Sequence, residues 1–296
     1  MSMLRPWPTV SGFTVVHNAK RLEYPLEAAL ESLLPYCDEI IINHALSDDG
    51  TDDLLRHFKE KHGKRVRILE TTWDAENTRG GNLIRDKTNE ALKECQGDLC
   101  FYLQADEVLH EEDLPALQSQ LHKLASHPTA LGLAFDYLHF YGDCHHHVVS
   151  RNWYRREVRV IKNHKGIASF RDAQGFRQAD DSKVPALLAG ARVFHYGHVR
   201  TNEMMLQKRK HMAPLWGEAL NAVPYELYRP LGLRRFHGSH PQVLKSWRGF
   251  GQTHFTPDHF SRRWNFQEAK NWLALIVERW LPWRMGEFTN YDRIKA

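Results

Sequence analysis

A chain of 296 residues, 42% hydrophobic and 26% charged, can bury a sizeable core and falls outside the disordered class. Its net charge of +4, from 40 basic and 36 acidic residues, suits an acidic ligand such as a nucleotide and lacks the basic excess of a nucleic-acid binder. Four cysteines (37, 95, 100 and 144) without a CxxC pair, no leader resembling a signal peptide, and no apolar run near the ~20 residues that cross a bilayer together give a cytoplasmic expectation.

In chain order, 13–17 is a short β-rich run ending at Asn18. Residues 24–35 have the apolar spacing of an amphipathic helix, with Pro25 in the first turn and Pro35 as the stop. A second strand over 38–43 leads into Ser47-Asp48-Asp49-Gly50-Thr51, a turn that caps a helix over 54–62. A third strand over 66–69, a polar loop over 73–82, a helix over 83–94 and an apolar strand over 99–103 follow. This alternation predicts βαβ units: an α/β fold with a mostly parallel, twisted sheet flanked by helices, its post-strand loops facing one crevice.

Beyond residue 130 the pattern loosens. Strands over 131–138, 157–161 and 193–196 have no obvious helix between them, so a mixed second half is expected. From about 203 the chain reads as helical and then loop-rich. Residues 272–281 are apolar around much of a helical circumference, as in a helix packed on the body or on a partner. The expected division is a catalytic domain over 1–212 and a helical and loop extension over 213–296.

The strand over 99–103 gives way abruptly to Asp106-Glu107. A carboxylate just past the C-terminal end of a buried strand stands where open α/β sheets bind ligands, and it suits a divalent metal that carries phosphate oxygens.

The order and spacing of Phe13-Thr14-Val15-Val16-His17-Asn18, Asp38-Glu39-Ile40-Ile41-Ile42, Ser47-Asp48-Asp49-Gly50-Thr51, Asn89-Glu90-Ala91-Leu92 and Gln104-Ala105-Asp106-Glu107 resemble glycosyltransferase family 2 proteins of the GT-A (Rossmann-like) fold. The blocks Trp153-Tyr154-Arg155-Arg156-Glu157-Val158-Arg159, Arg171-Asp172-Ala173-Gln174-Gly175-Phe176-Arg177 and His195-Tyr196-Gly197-His198-Val199-Arg200 are similar to a prokaryotic branch of that family. The resemblance covers most of 10–212. It implies transfer of a sugar from a nucleotide-diphosphate sugar, usually with inversion, helped by Mn²⁺ or Mg²⁺ as Lewis acid and template. The acceptor it leaves open: a glycan, a lipid-linked molecule or a small molecule. It leaves room for an oligomer and for peripheral contact with the inner face of a membrane, and it implies no nucleic-acid partner.

Carried onto this chain, the family's aspartate-any-aspartate motif falls on Gln104-Ala105-Asp106. Asp106 is the implied metal ligand, with Glu107 behind it, and Gln104 replaces the first acid. His195 matches a further metal-side position, and Gly197 lets backbone approach a phosphate. Arg200 and Lys208 fall on a segment the family uses as a lid and are expected on the diphosphate. Asn18 and Asp49 fall near the nucleotide base, and Asp74, Arg85 and Asn89 on the loop and helix that approach the donor. Asp172 is the expected general base, kept ionised by Arg171 and Arg177, with Glu157, Asp180 and Asp181 as its rivals. Asp49 equally suits a helix cap. His145-His146-His147 has no metal-ligand spacing and reads as a surface or acceptor-groove loop. Two rival functions are a catalytically silent sugar-nucleotide binder, kept alive by Gln104, and a nucleotidyltransferase, for which residues 10–25 lack the Gly-rich phosphate loop.

Overall fold

The computed structural model describes residues 7–73, 80–216, 229–252, 256, 266–281 and 289–294. The first half alternates as expected: β1 (Val10–Val16), α1 (Leu26–Leu33), β2 (Glu39–Ala45), α2 (Thr51–His62), β3 (Val66–Thr71), α3 (Asn82–Lys93) and β4 (Leu99–Tyr102). β1 and β2 are buried almost throughout and β4 entirely, which is why they read as apolar runs and not as alternating strands. β5 (Glu107–Leu109) and α4 (Leu114–Ser126) close this half.

The second half is mixed: β6 (Gly132–Tyr141), β7 (His146–Val148), β8 (Arg156–Lys162), β9 (Ala168–Phe170), β10 (Gly175–Arg177), β11 (Val184–His198), α5 (Asn202–Trp216), β12 (Leu233–Arg235), α6 (Phe266–Trp280) and β13 (Tyr291–Arg293). The histidine run at 145–147 differs from the loop expected, because His146 and His147 belong to β7, which is paired with β12 on one side and β6 on the other.

Among the described residues one sheet has eleven strands, running β12-β7-β6-β8-β4-β1-β2-β3, with β11 beside β6 and pairing β5 and β13. β4, β1, β2 and β3 are parallel, whereas β8 runs antiparallel between β4 and β6. Two register breaks bend β11 along β6, one of them between His195 and His198. β12 and β13, from the last third of the chain, are strands of this same sheet. The chain therefore runs outward from β1 through β2 to β3 and returns to the other side of β1 as β4. The C-terminal ends of β1 and β4 flank the point where strand order reverses, which is where open α/β sheets form a crevice.

Candidate active site

A cavity of about 420 Å³ lies at that reversal, with Val16 and His17 from the end of β1 and Gln104 and Asp106 from the end of β4 in its wall. Its volume is in the range of small-molecule and cofactor sites. His195 and His198 from β11, Lys208 and His211 from α5, and Asp172 from the β9–β10 turn complete its polar lining. A second cavity, about 560 Å³, is lined by Asn89, Lys93, Lys162 and Lys165. Lys162 pairs with Leu99, so that cavity stands beside the beginning of β4, the end of the sheet that ligands do not use.

Asp106 is buried at the cavity wall. Its Oδ2 is 3.3 Å from the Lys208 ammonium and 3.7 Å from His195 Nε2. Burial alone would raise its carboxyl, but Lys208 and His195 beside it hold it well below the usual carboxylate range. Burial also pushes the Lys208 ammonium down to about 8, against the pull of Asp106. Gly197 lies against both: a Cβ placed there would lie 2.6 Å from His195 Nε2 and 2.7 Å from Asp106 Oδ2. Only glycine leaves those two side chains where they are.

A chain of imidazoles orients His195. His139 Nε2 is 2.7 Å from the Tyr154 carbonyl, so that nitrogen carries the proton. Burial, then neighbouring His195, hold the His139 ring well below its ordinary value, so it is neutral and its Nδ1 is an acceptor. His195 Nδ1, 3.1 Å away, must therefore donate to it. Nε2 is then the nitrogen that His195 turns toward Asp106. This is the wiring by which a ligand histidine is held in one tautomer.

Asp172 sits on a strained turn. Arg171 (φ 54°) and Ala173 (φ 62°) on either side of it are both left-handed, at a cost of about 1–2 kcal/mol each. The turn is clamped from below, where Arg159 Nη1 donates to Gln174 O at 2.7 Å and Gln104 Nε2 to Ala173 O at 3.4 Å. The two arginines expected to pair with Asp172 are engaged elsewhere. Arg171 lies over the Phe170 ring, as does Arg177, which also donates to Asn290 O.

Several expected residues stand away from the cavity. Arg200 is buried, and its guanidinium donates to the main-chain carbonyls of Leu22, Glu23, Tyr196 and Gly197, so it ties the β11 end to the β1–α1 loop. Asn89 accepts from Ser169 N at 2.7 Å, on the second cavity's side. Arg85 pairs with its neighbour Asp86. Asp49 accepts from the backbone of Arg21 and Thr51, the latter the first residue of α2. Asn18 is buried just after His17, with its Oδ1 without a hydrogen-bond partner. Asp74 lies outside the described residues.

Glu107 stands behind Asp106, away from the cavity. It is fully buried and forms a two-point pair with Arg159, at 2.8 and 3.0 Å, while Tyr137 and the Gln104 backbone donate to the same carboxylate. Glu157 is buried too, under Gly175, and accepts from Gln174 and Asn290. Sequence reasoning passed over Arg159, whose signal was a charge amid Val158, Val160 and Ile161: an arginine in an apolar strand needs a buried partner.

The result is an α/β architecture with a large, mixed, curled sheet flanked by helices. No protein-family model matches the sequence, and no curated protein matches it. Among solved structures, the chain is similar to the 1–349 fragment of S. aureus TarS, with 17% identity and a TM-score of 0.35 over 45% of this chain and 37% of that one. It is also similar to the mannosyltransferase PcManGT from Pyrobaculum calidifontis, solved with GDP-Man and Mn²⁺, with 20% identity and a TM-score of 0.35 over 46% of this chain and 40% of that one. The match to the TarS fragment with UDP-GlcNAc has 17% identity, a TM-score of 0.33 and spans 34% of that chain. This chain thus spans well under two thirds of each, and at these scores the likeness carries nothing about chemistry.

Proposed function

We propose that the chain is a metal-dependent glycosyltransferase of the family 2 type, a hexosyltransferase that moves sugar from a nucleotide-diphosphate donor to an acceptor hydroxyl with inversion. The observation that carries this reading is the convergence of Asp106, His195, Lys208 and Asp172 on one cavity at the reversal of strand order.

The donor set fits a divalent ion. Asp106 Oδ2 and His195 Nε2 would hold it, and the bare Gly197 leaves the approach clear. An imidazole beside a carboxylate suits Mn²⁺ better than Mg²⁺, which prefers oxygen alone. Among the described residues no third His, Cys, Asp or Glu joins them, so diphosphate oxygens and water would fill the remaining positions. Bound there, the ion would supply charge neutralisation for the departing diphosphate.

The chain's own groups do the rest. Lys208, held against Asp106 and the Gly197 carbonyl, offers an ammonium to the diphosphate. Asp172, on its clamped turn, takes the proton of the acceptor hydroxyl. Trp73 lies in the cavity wall against His17, with its indole nitrogen unpaired, as a surface for a base or a sugar ring. One observation favours a second reading, a sugar-nucleotide binder without turnover: Gln104 stands where the motif has its first acid.

Thermal melts with UDP, GDP, UDP-GlcNAc and GDP-mannose, with and without Mn²⁺, test the proposal. Expected is a stabilisation that needs both nucleotide and metal and disappears in Asp106→Asn. A nucleotide-dependent shift indifferent to metal and to Asp106→Asn would refute the site. A normal shift without donor turnover would favour the silent binder.

A further inference from the structure

α6 is docked inside out. Two of its polar residues face the body: Asn271, 2% exposed, donates to Asn152 Oδ1 at 2.8 Å, and Glu278 pairs with Arg151 at 2.6 Å. Its large apolar residues face away. Phe266, Trp272, Leu273, Ile276, Val277 and Trp280 are all exposed, Phe266 to 87% and Trp280 to 80%. A helix of a globular protein normally does the reverse and buries its apolar stripe. An exposed apolar face this continuous marks an interaction surface.

The charges on the helix say which kind. At ~100° per residue the six apolar residues occupy a stripe roughly 140° wide, with Lys270 on one edge and Arg279 on the other. Both cations are exposed. The one acid among the side chains described on α6, Glu278, is spent on Arg151. Leu275 packs against the turn at Gly232, which leads into β12 and its exposed Arg234 and Arg235. Residues 213–296 hold twelve Lys and Arg against seven Asp and Glu, while the first 212 hold twenty-eight against twenty-nine, so the chain's positive excess lies in the part that carries α6.

We infer that the outward face of α6 lies in the headgroup region of an anionic lipid bilayer. Its apolar side chains enter the acyl boundary, the tryptophans sit at the interface, and Lys270 and Arg279 reach up to lipid phosphates. A second copy of the chain would present the same cation-edged stripe, whereas lipid phosphate is complementary to it. With 15 residues the helix is about 22 Å long, too short for a ~30 Å hydrocarbon core, so it lies along the surface. Among the described residues no helix is long and apolar enough to cross a membrane.

Flotation of the full chain with vesicles tests this without reference to turnover. Vesicles of phosphatidylcholine alone are compared with vesicles in which one lipid in three is phosphatidylglycerol. Expected is co-flotation with the anionic vesicles, weakened by salt, with a blue shift of tryptophan emission. Leu273→Glu with Trp280→Glu should lower partitioning more than tenfold while the melting temperature stays put. Lys270→Gln and Arg279→Gln should each lower partitioning on the anionic vesicles about fivefold and leave it little changed on phosphatidylcholine. Absence of flotation with the anionic vesicles would overturn the inference. So would a dimer in sedimentation that Leu273→Glu dissociates, or a double variant that unfolds because the face is covered within its own chain.

Discussion

Replacing Gly197 by alanine separates the site's two central side chains without touching either. The backbone φ at Gly197 lies outside the left-handed region, so alanine meets no conformational penalty there. The cost falls on Asp106 and His195, whose atoms would lie 2.7 and 2.6 Å from the new methyl, several tenths of an ångström inside any real contact. His195 has little room to retreat, because its other nitrogen is held 3.1 Å from His139 and the ring is buried. Overpacking of this kind costs about 1–3 kcal/mol, which at about 2–4 °C per kcal/mol lowers the melting temperature by several degrees. Mn²⁺-dependent affinity for a nucleoside diphosphate should fall at least about tenfold, the equivalent of ~1.4 kcal/mol. Calorimetric titration of UDP or GDP with and without Mn²⁺, alongside a melt, reads both effects. A folded variant with wild-type Mn²⁺-dependent affinity would refute the claim that Asp106 and His195 act on one ion.

Asp172→Asn should reduce sugar transfer by roughly 10²–10⁴-fold while nucleotide and metal affinity stay near wild type; wild-type turnover would remove it from the mechanism. Arg159→Met strands Glu107 in a fully buried position and should cost about 3–5 kcal/mol in denaturant unfolding, with Glu107→Leu added to it recovering most of the loss. Glu157 is the group for pH. Burial lifts its carboxyl from 4.5 to about 7, so the native state holds the proton longer than the unfolded chain. Its stabilising share is fully present below the unfolded value and is lost as pH rises through about 7. Glu157→Gln should flatten that decline and leave the variant more stable at pH 8, by up to roughly 3 kcal/mol; melts between pH 5 and 8 that run parallel in both proteins would rule this out.

What the sequence disclosed followed from how each element is buried. β1, β2 and β4 are apolar runs because they are central strands, and α1 and α3 bury one face each, so local pattern and final environment agree. α4 carries buried Leu117, Leu121 and Leu124 at helical spacing, a signal the chain-order reading passed over. β5 and β7 are three residues each; β5 is a strand through long-range pairing with β11, and β7 lies between its local hairpin partner β6 and the distant β12, pairings that three-residue runs do not record. The site divided along the same line. The cavity position of Asp106 followed from a strand ending, which is local. Two of the four carbonyls that hold Arg200, those of Leu22 and Glu23, lie 178 and 177 positions earlier in the chain and could not be read from a basic residue after a glycine.

The adjacent acids Asp106 and Glu107 have opposite surroundings, and Gln104 beside them has a structural part of its own. The chain turns over residues 104–107, where Glu107 N donates to Gln104 O. Asp106, within that turn, lines the cavity, and Glu107, the first residue of β5, faces the core, where Arg159, Tyr137 and the Gln104 backbone meet its charge. Arg159 in turn reaches Gln174, and the Gln104 amide reaches the Ala173 carbonyl, so both grip the turn that holds Asp172. A carboxylate at 104 would face that carbonyl oxygen with no proton to offer, whereas the amide donates to it. The Gln104 amide thus links the strand end carrying Asp106 to the turn carrying Asp172. In the proposed function these are the donor and acceptor sides, which a transfer must hold in register.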